Sequence, residues 1–164
     1  MDQKSEAFEL LTARLAELLQ SRGWMLATAE SCTGGWVAKV CTDRIGSSHW
    51  FERGFVTYTN ESKQELLGVQ PSTLEQFGAV SEQVVTEMAR GALEHSHARG
   101  SLSISGIAGP GGGSPGKPVG TVCFGWCVAD AEPITESVQF EGDREAVRRQ
   151  AVAHALQGVL DVVG

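Results

Sequence analysis

Ser31 and Cys32 stand side by side in the stretch TAESCTGGW, residues 28–36. A short apolar run precedes them, and Thr33, Gly34, Gly35 and a helical pattern follow. A serine where a strand turns into a helix lies beside backbone N–H groups that the helix leaves unpaired. Those donors, with the positive end of the helix, suit an oxyanion or a phosphate. The plainer alternative is that Ser31 or Thr33 is an N-cap. Cys32 is a rival nucleophile. Neighbours on a strand point to opposite faces, so one of the pair faces the core. Free cysteine is often buried, which fits Cys32 better than Ser31.

A nucleophilic serine needs a base. The four histidines, His49, His95, His97 and His154, suggest no Ser–His–Asp arrangement, and among them only His49, just before a strand, stands out as a candidate. The stretch YTNESK (58–63) offers a lysine instead. With Asn60 as N-cap, Lys63 is the third residue of a helix, facing the positive dipole end. That position lowers a lysine's pKa and makes it usable as a base. A solvated surface lysine is the alternative. Tyr58, the only tyrosine, is close in sequence.

The Gly/Pro stretch AGPGGGSPGKP (108–118) is the third candidate. GGGSPGKP fits most of a phosphate-cradling P-loop, but Pro118 replaces the magnesium-holding Ser or Thr and a strand follows. GPGGGS resembles a dinucleotide fingerprint, but Pro115 and Gly116 prevent the receiving helix. What survives is a loop whose N–H groups, with Lys117, line an anionic pocket; a flexible surface loop is the alternative.

The elements that must position these residues read as follows. Residues 5–22 put Phe8, Leu11, Leu15, Leu18 and Leu19 on one helical face, and Gly23 ends it. WMLATA (24–29) reads as a buried strand, 34–43 as a helix, and WFERGFVTYT (50–59) as a strand. NESKQELLGV (60–69) reads as a short helix, Pro71 and Ser72 as a turn, and 81–95 as a helix with Val84, Val85, Met88, Ala92 and Leu93 inward. Strands follow at 101–107, 119–129 and 134–141, the last two pairing across Asp130–Pro133. A final helix begins near Asp143 and buries Val147, Ala151, Val152, Ala155, Leu156, Val159 and Leu160.

Early alternation of strands and helices with a late hairpin predicts a single three-layer α/β/α domain, residues 1–164, with a mixed β-sheet. Ligands in such sheets sit beyond the carboxyl ends of strands, here the loops 29–34, 58–63 and 106–117. A net charge of −7 argues against a nucleic-acid partner. No run suits a membrane span or a signal peptide, and a cytoplasmic place is expected. Cys32, Cys41, Cys123 and Cys127 match no zinc or redox spacing and read as free thiols in a reducing compartment. Trp50 and Phe51 suit a subunit interface if exposed and the core otherwise.

TAESCTGGWVAKV, GSSHWFERGFVTYTNESK, GAVSEQVV, SISGIAGPGGGSPGKPVGTV and GDREAVRRQA together resemble the CinA C-terminal domain family. The likeness runs over nearly the whole chain and is greatest to the stand-alone PncC-type nicotinamide-nucleotide amidases. It implies hydrolysis of the carboxamide of nicotinamide mononucleotide to nicotinate mononucleotide and ammonia, with no cofactor and no metal. It implies Ser31 as nucleophile and Lys63 as base, with Tyr58 and Ser105 at the same site as possible proton relays. Backbone N–H groups near Thr33, Gly34 and Gly35 would hold the oxyanion. The loop around Gly109, Gly111 and Gly112, with Lys117 and Arg144, would take the 5′-phosphate. A homo-oligomer, dimer or higher, is expected. The alternatives are a non-catalytic nucleotide-binding or interaction module, and an amidase for another small substrate.

Overall fold

The computed structural model describes residues 2–164. Its centre is a five-stranded sheet built from β1 (Leu26–Glu30), β2 (Phe51–Val56), β3 (Gly100–Gly106), β4 (Thr121–Val128) and β5 (Ile134–Gln139). The strand order is β2-β1-β3-β4-β5. β1 runs parallel to both β2 and β3, while β4 is antiparallel to β3 and β5. This is the expected mixed sheet. The parallel strands β1, β2 and β3 end on one side, so the loops after Glu30, Val56 and Gly106 share an edge.

Among the described residues, six α-helices cover the sheet. α1 (Gln3–Arg22), α2 (Trp36–Asp43) and α6 (Arg144–Val163) pack on one face; α3 (Asn60–Leu67), α4 (Pro71–Phe77) and α5 (Glu82–Glu94) pack on the other. Strand alternation sorts the core between them. Leu26, Leu102, Ile104, Val122, Phe124 and Trp126 join the cluster under α6. Ala27, Ala29 and Cys123 join the smaller cluster under α5. Small residues let each layer approach closely. A methyl on Gly158 of α6 would collide with the Trp126 indole, whose Nε1 donates to Ala155 O at 3.0 Å. A methyl on Gly91 of α5 would collide with the Leu67 carbonyl at the end of α3. That contact seats α3, the helix that carries Lys63.

The predicted helical faces are found, with Leu15 and Leu19 of α1 fully buried and Leu93 of α5 only half-buried. Three readings are corrected. Pro71 and Ser72 do not form a turn: they open α4, with Pro71 at its first position, where a missing N–H costs nothing. β2 stops at Val56 rather than residue 59, because the chain lifts off the edge of the sheet to enter α3. Thr59, not Asn60, caps α3; its side chain accepts from Ser62 N and the Ser62 side chain accepts from Thr59 N. Trp50 is fully buried and Phe51 partly so, which gives Trp50 to the core rather than to an interface. No helix among the described residues is long and apolar enough to cross a membrane.

Candidate active site

β1 carries one polar residue, Thr28, before the charged Glu30 at its end. Thr28 and Glu30 point toward α2 and α6, while Ala27, Ala29 and then Ser31 point toward α3 and α5. Ser31 N donates to Ile104 O at 3.0 Å, which extends the β1–β3 ladder one residue past the strand and holds the serine in place. Cys32 therefore turns to the opposite layer. It is buried in the α6 cluster, and burial pushes its thiol up to about 12. A thiol in that state is a poor nucleophile near neutral pH. Replacing Cys32 by Ala is expected to leave turnover close to wild type, because the thiol lies in the layer opposite Ser31 Oγ and Lys63; ammonia-release assays on the variant check this.

Lys63 comes from the first turn of α3, as its fourth residue. Helical side chains lean toward the N-terminus. This one reaches back over the start of its own helix into the sheet edge. Its Nζ lies 2.9 Å from Ser31 Oγ, 3.1 Å from Thr57 O and 3.3 Å from Tyr58 O. Lys63 is only 1% exposed. No carboxylate pairs with it among the described residues. Burial pushes its ammonium below the ordinary lysine value of 10.5. The sequence suggests the helix dipole as the cause; in the structure the cause is desolvation by burial.

Lys63 Nζ donates to Thr57 O, Tyr58 O and Ser31 Oγ, and Ser31 Oγ donates to Tyr58 O at 3.5 Å. In its neutral form the amine has two N–H groups for the two carbonyls and a lone pair for the Ser31 hydroxyl.

Tyr58 contributes its backbone carbonyl here, while its side chain is 59% exposed and its hydroxyl accepts from Arg144 Nη2 at 3.2 Å. The ring is therefore at the rim and not between Ser31 and Lys63. Arg144, first residue of α6, also donates through Nη1 to Gly109 O at 2.8 Å. One guanidinium thus ties the glycine loop to the rim. Ser105 is buried on β3, one residue beyond Ile104, the partner of Glu30. This sets it beside Ser31 on the α5 face.

The turn after Ser31 is shaped by two glycines with left-handed backbone, Gly34 (φ 58°) and Gly35 (φ 101°), conformations that other residues adopt only at a cost. Neither Ser31 nor Thr33 is the N-cap of α2. Gly35 occupies that position without a side-chain bond. The capping is done by Glu30, which sequence reasoning missed. Its carboxylate accepts from Val37 N at 2.9 Å, Ala38 N at 3.1 Å and the Thr33 hydroxyl at 2.6 Å. An acid at the end of the otherwise uncharged strand LATAE was the available signal. The Thr33 side chain is thereby committed to Glu30, and only its backbone is left for a ligand. The N–H groups of Cys32, Thr33 and Gly35 meet no acceptor among the described residues, whereas Gly34 N donates to Ser31 O at 3.0 Å.

In the glycine loop, the N–H groups of Gly109, Gly111 and Gly112 likewise meet no acceptor among the described residues. Lys117 is elsewhere. Its Nζ donates to Phe77 O at 2.6 Å, at the C-terminal end of α4. It lines a pocket with Val80, Thr121, Cys123 and Ser137. Ser137 is paired with Cys123, itself paired with Ser105, so this pocket lies further across the sheet from Ser31. Arg144 joins the site; Lys117 does not.

Comparison with known proteins decides what this arrangement belongs to. The model of the CinA C-terminal domain matches residues 8–163. The chain belongs to the CinA C-terminal domain family. It is 60% identical over 147 residues to the nicotinamide-nucleotide amidohydrolase PncC of Escherichia coli K12, covering 90% of this chain and 89% of that protein. It is 51% identical over 153 residues to the enzyme of the same name from Pseudomonas putida, covering 93% and 94%. Among solved structures it resembles the competence/damage inducible protein CihA from Agrobacterium tumefaciens, with a TM-score of 0.94, 40% identity and 96% of each chain covered. The family matches at nearly full length, so the mixed sheet and its shared loop edge are those of a CinA C-terminal domain.

Proposed function

We propose that this chain is a nicotinamide-nucleotide amidase that hydrolyses the carboxamide of nicotinamide mononucleotide through a Ser31–Lys63 acyl-enzyme. The observation that carries the reading is the buried Lys63 amine 2.9 Å from Ser31 Oγ, with no carboxylate among the described residues to keep it charged. The relatives at 51% and 60% identity are named nicotinamide-nucleotide amidohydrolases, which supports this choice of substrate.

Neutral Lys63 takes the Ser31 hydroxyl proton as Oγ attacks the amide carbon. The carbonyl oxygen becomes an oxyanion and is met by free N–H groups of the turn at Cys32, Thr33 and Gly35. The C–N bond then breaks, and Lys63 returns its proton to the leaving nitrogen, which departs as ammonia. Water attacks the acyl-enzyme and gives a proton to Lys63; the C–Oγ bond breaks and that proton restores the Ser31 hydroxyl. The balance is amide plus water to acid plus ammonia. The direct contact makes a relay through Tyr58 or Ser105 unnecessary. The pyridinium ring assists by drawing electrons from the amide. Arg144 and the open N–H groups of Gly109, Gly111 and Gly112 take the 5′-phosphate, and Lys117 holds α4 instead.

The test is ammonia release from nicotinamide mononucleotide by the purified protein with a chelator present. Nucleotide binding without ammonia would sink the reading and favour a binding module. The pH profile follows from Lys63. Only the neutral amine is a base, so kcat/KM rises with pH and levels off at the lysine's own pKa. Burial lowers that pKa, so the plateau is reached below 10.5. A profile that bends only at 10.5 would show that Lys63 is not shifted.

A further inference from the structure

The turn that carries the nucleophile is gripped from the far end of the chain. Arg148, in the second turn of α6, donates through Nε to Cys32 O at 3.0 Å and through Nη2 to Thr33 O at 3.3 Å. Its guanidinium lies 5.4 Å from the centre of the Trp36 ring, which braces it from the α2 side. Its Nη2 also stands 3.6 Å from where a side chain on Gly34 would begin, so the glycine leaves it room. No carboxylate pairs with Arg148 among the described residues; its donors go to two backbone carbonyls.

The consequence comes from peptide geometry. In a trans peptide the C=O and the following N–H point in opposite directions across one rigid plane. Cys32 O and Thr33 N–H share such a plane. Arg148 reaches in from the α6 layer and draws Cys32 O toward itself. The Thr33 N–H must then point to the other layer, the one that holds Ser31 Oγ and Lys63. That N–H has no acceptor among the described residues. The Thr33 hydroxyl, held by Glu30 at 2.6 Å, stops the residue from rolling.

We propose that Arg148 is a positioning residue for the oxyanion site: by holding the Cys32 and Thr33 carbonyls on the α6 side of the turn, it aims the Thr33 N–H at the oxygen on which charge develops. This rests on the amidase reading above. Without Arg148 the peptide plane is free to rotate, and a donor that must reorient during reaction stabilises less than one already aimed.

The experiment uses Arg148→Ala and Arg148→Lys with two readouts. One is kcat and KM for nicotinamide mononucleotide. The other is the rate at which a fluorophosphonate labels Ser31, read by intact mass. In that reaction Oγ attacks phosphorus, fluoride leaves, the serine proton passes to Lys63, and the phosphoryl oxygen occupies the oxyanion site whatever the natural amide. Arg148→Ala is expected to lower kcat and the labelling rate by about 100-fold, the scale of a lost oxyanion donor, with KM little changed. Guanidinium chloride at tens of millimolar should restore part of both rates, since the free cation refills the vacated place. A purely structural role predicts no such recovery, because that salt only weakens a fold. Arg148→Lys, which keeps the charge but lacks the two-pronged head, should fall between.

Wild-type rates in Arg148→Ala, or losses that guanidinium does not restore, overturn the proposal. If Arg148→Ala fails to fold, Arg148→Lys decides: reduced rates at unchanged KM support it, and wild-type rates overturn it. A wild type that labels at Ser31 but releases no ammonia sinks the amidase reading alone; slower labelling of the variants would still support the role of Arg148.

Discussion

Ser31→Ala is expected to cut kcat by about 10⁴-fold or more, the scale seen when a nucleophile is removed from a set of groups that act together. The substrate should still bind, since the turn N–H groups, Arg144 and the glycine loop are untouched. The fold should survive as well. Among the described residues Ser31 Oγ bonds only to Lys63 Nζ and, at 3.5 Å, Tyr58 O, and its backbone bond to Ile104 O is independent of the side chain. Steady-state kinetics beside a thermal melt would check both halves. If Ser31→Ala kept its turnover while Cys32→Ala lost it, the nucleophile would be one residue further on, against the burial and raised pKa of that thiol.

Lys63→Met tests the base and has a second signature in stability. Removing a general base should lower kcat by about 10³–10⁴-fold. Lys63→Arg should not rescue it, because a guanidinium stays protonated and has no lone pair to offer. The stability effect depends on pH. In the unfolded chain Lys63 keeps its ordinary value of 10.5 and holds its proton at neutral pH; burial makes the folded state hold that proton less. The unfolded state therefore binds more protons, and wild-type stability falls as pH drops from 10.5 toward the folded pKa. Methionine carries no such proton. The stability of Lys63→Met relative to wild type should thus be greatest near neutral pH and shrink as the pH rises. The two carbonyls left without their donor, Thr57 O and Tyr58 O, cost about 1 kcal/mol each at any pH, so they offset the difference without changing its slope. Melting temperatures of both proteins measured in parallel across that range check the slope; a constant difference would mean that Lys63 is not perturbed.

Much of this was legible in the chain before folding. Alternation on a strand was enough to send Ser31 and Cys32 to opposite layers, although the structure buries both alike and not Cys32 alone. The late hairpin after alternating strands and helices announced a mixed sheet, and parallel β1, β2 and β3 put three loops on one edge. These are consequences of local geometry, the period of two on a strand and 3.6 on a helix, which act over a few residues and are written in residue types. Errors arose where local signals compete. Pro71 opens a helix as readily as a turn, and Thr59 and Asn60 are both good caps, so adjacent candidates could not be ranked without the bonds themselves.

The chemistry of the site was decided by tertiary structure. Only the family resemblance paired Ser31 with Lys63; nothing local joins residues 32 positions apart. Burial of the lysine needs α3 seated against α5 at Gly91, and that burial lowers the pKa of the amine. Lys117 and Arg144 read alike as cations near a glycine loop, yet one holds the end of α4 and the other bridges Gly109 and Tyr58. Glu30 and Arg148 passed unremarked because an acid or an arginine in a sequence is by default a solvated charge. Here Glu30 holds the start of α2, and Arg148 reaches the turn after Ser31 from 116 residues away. Residue types determine what each group is able to do. Which groups meet, and in which protonation state, depends on the desolvation and close packing that only the assembled layers create.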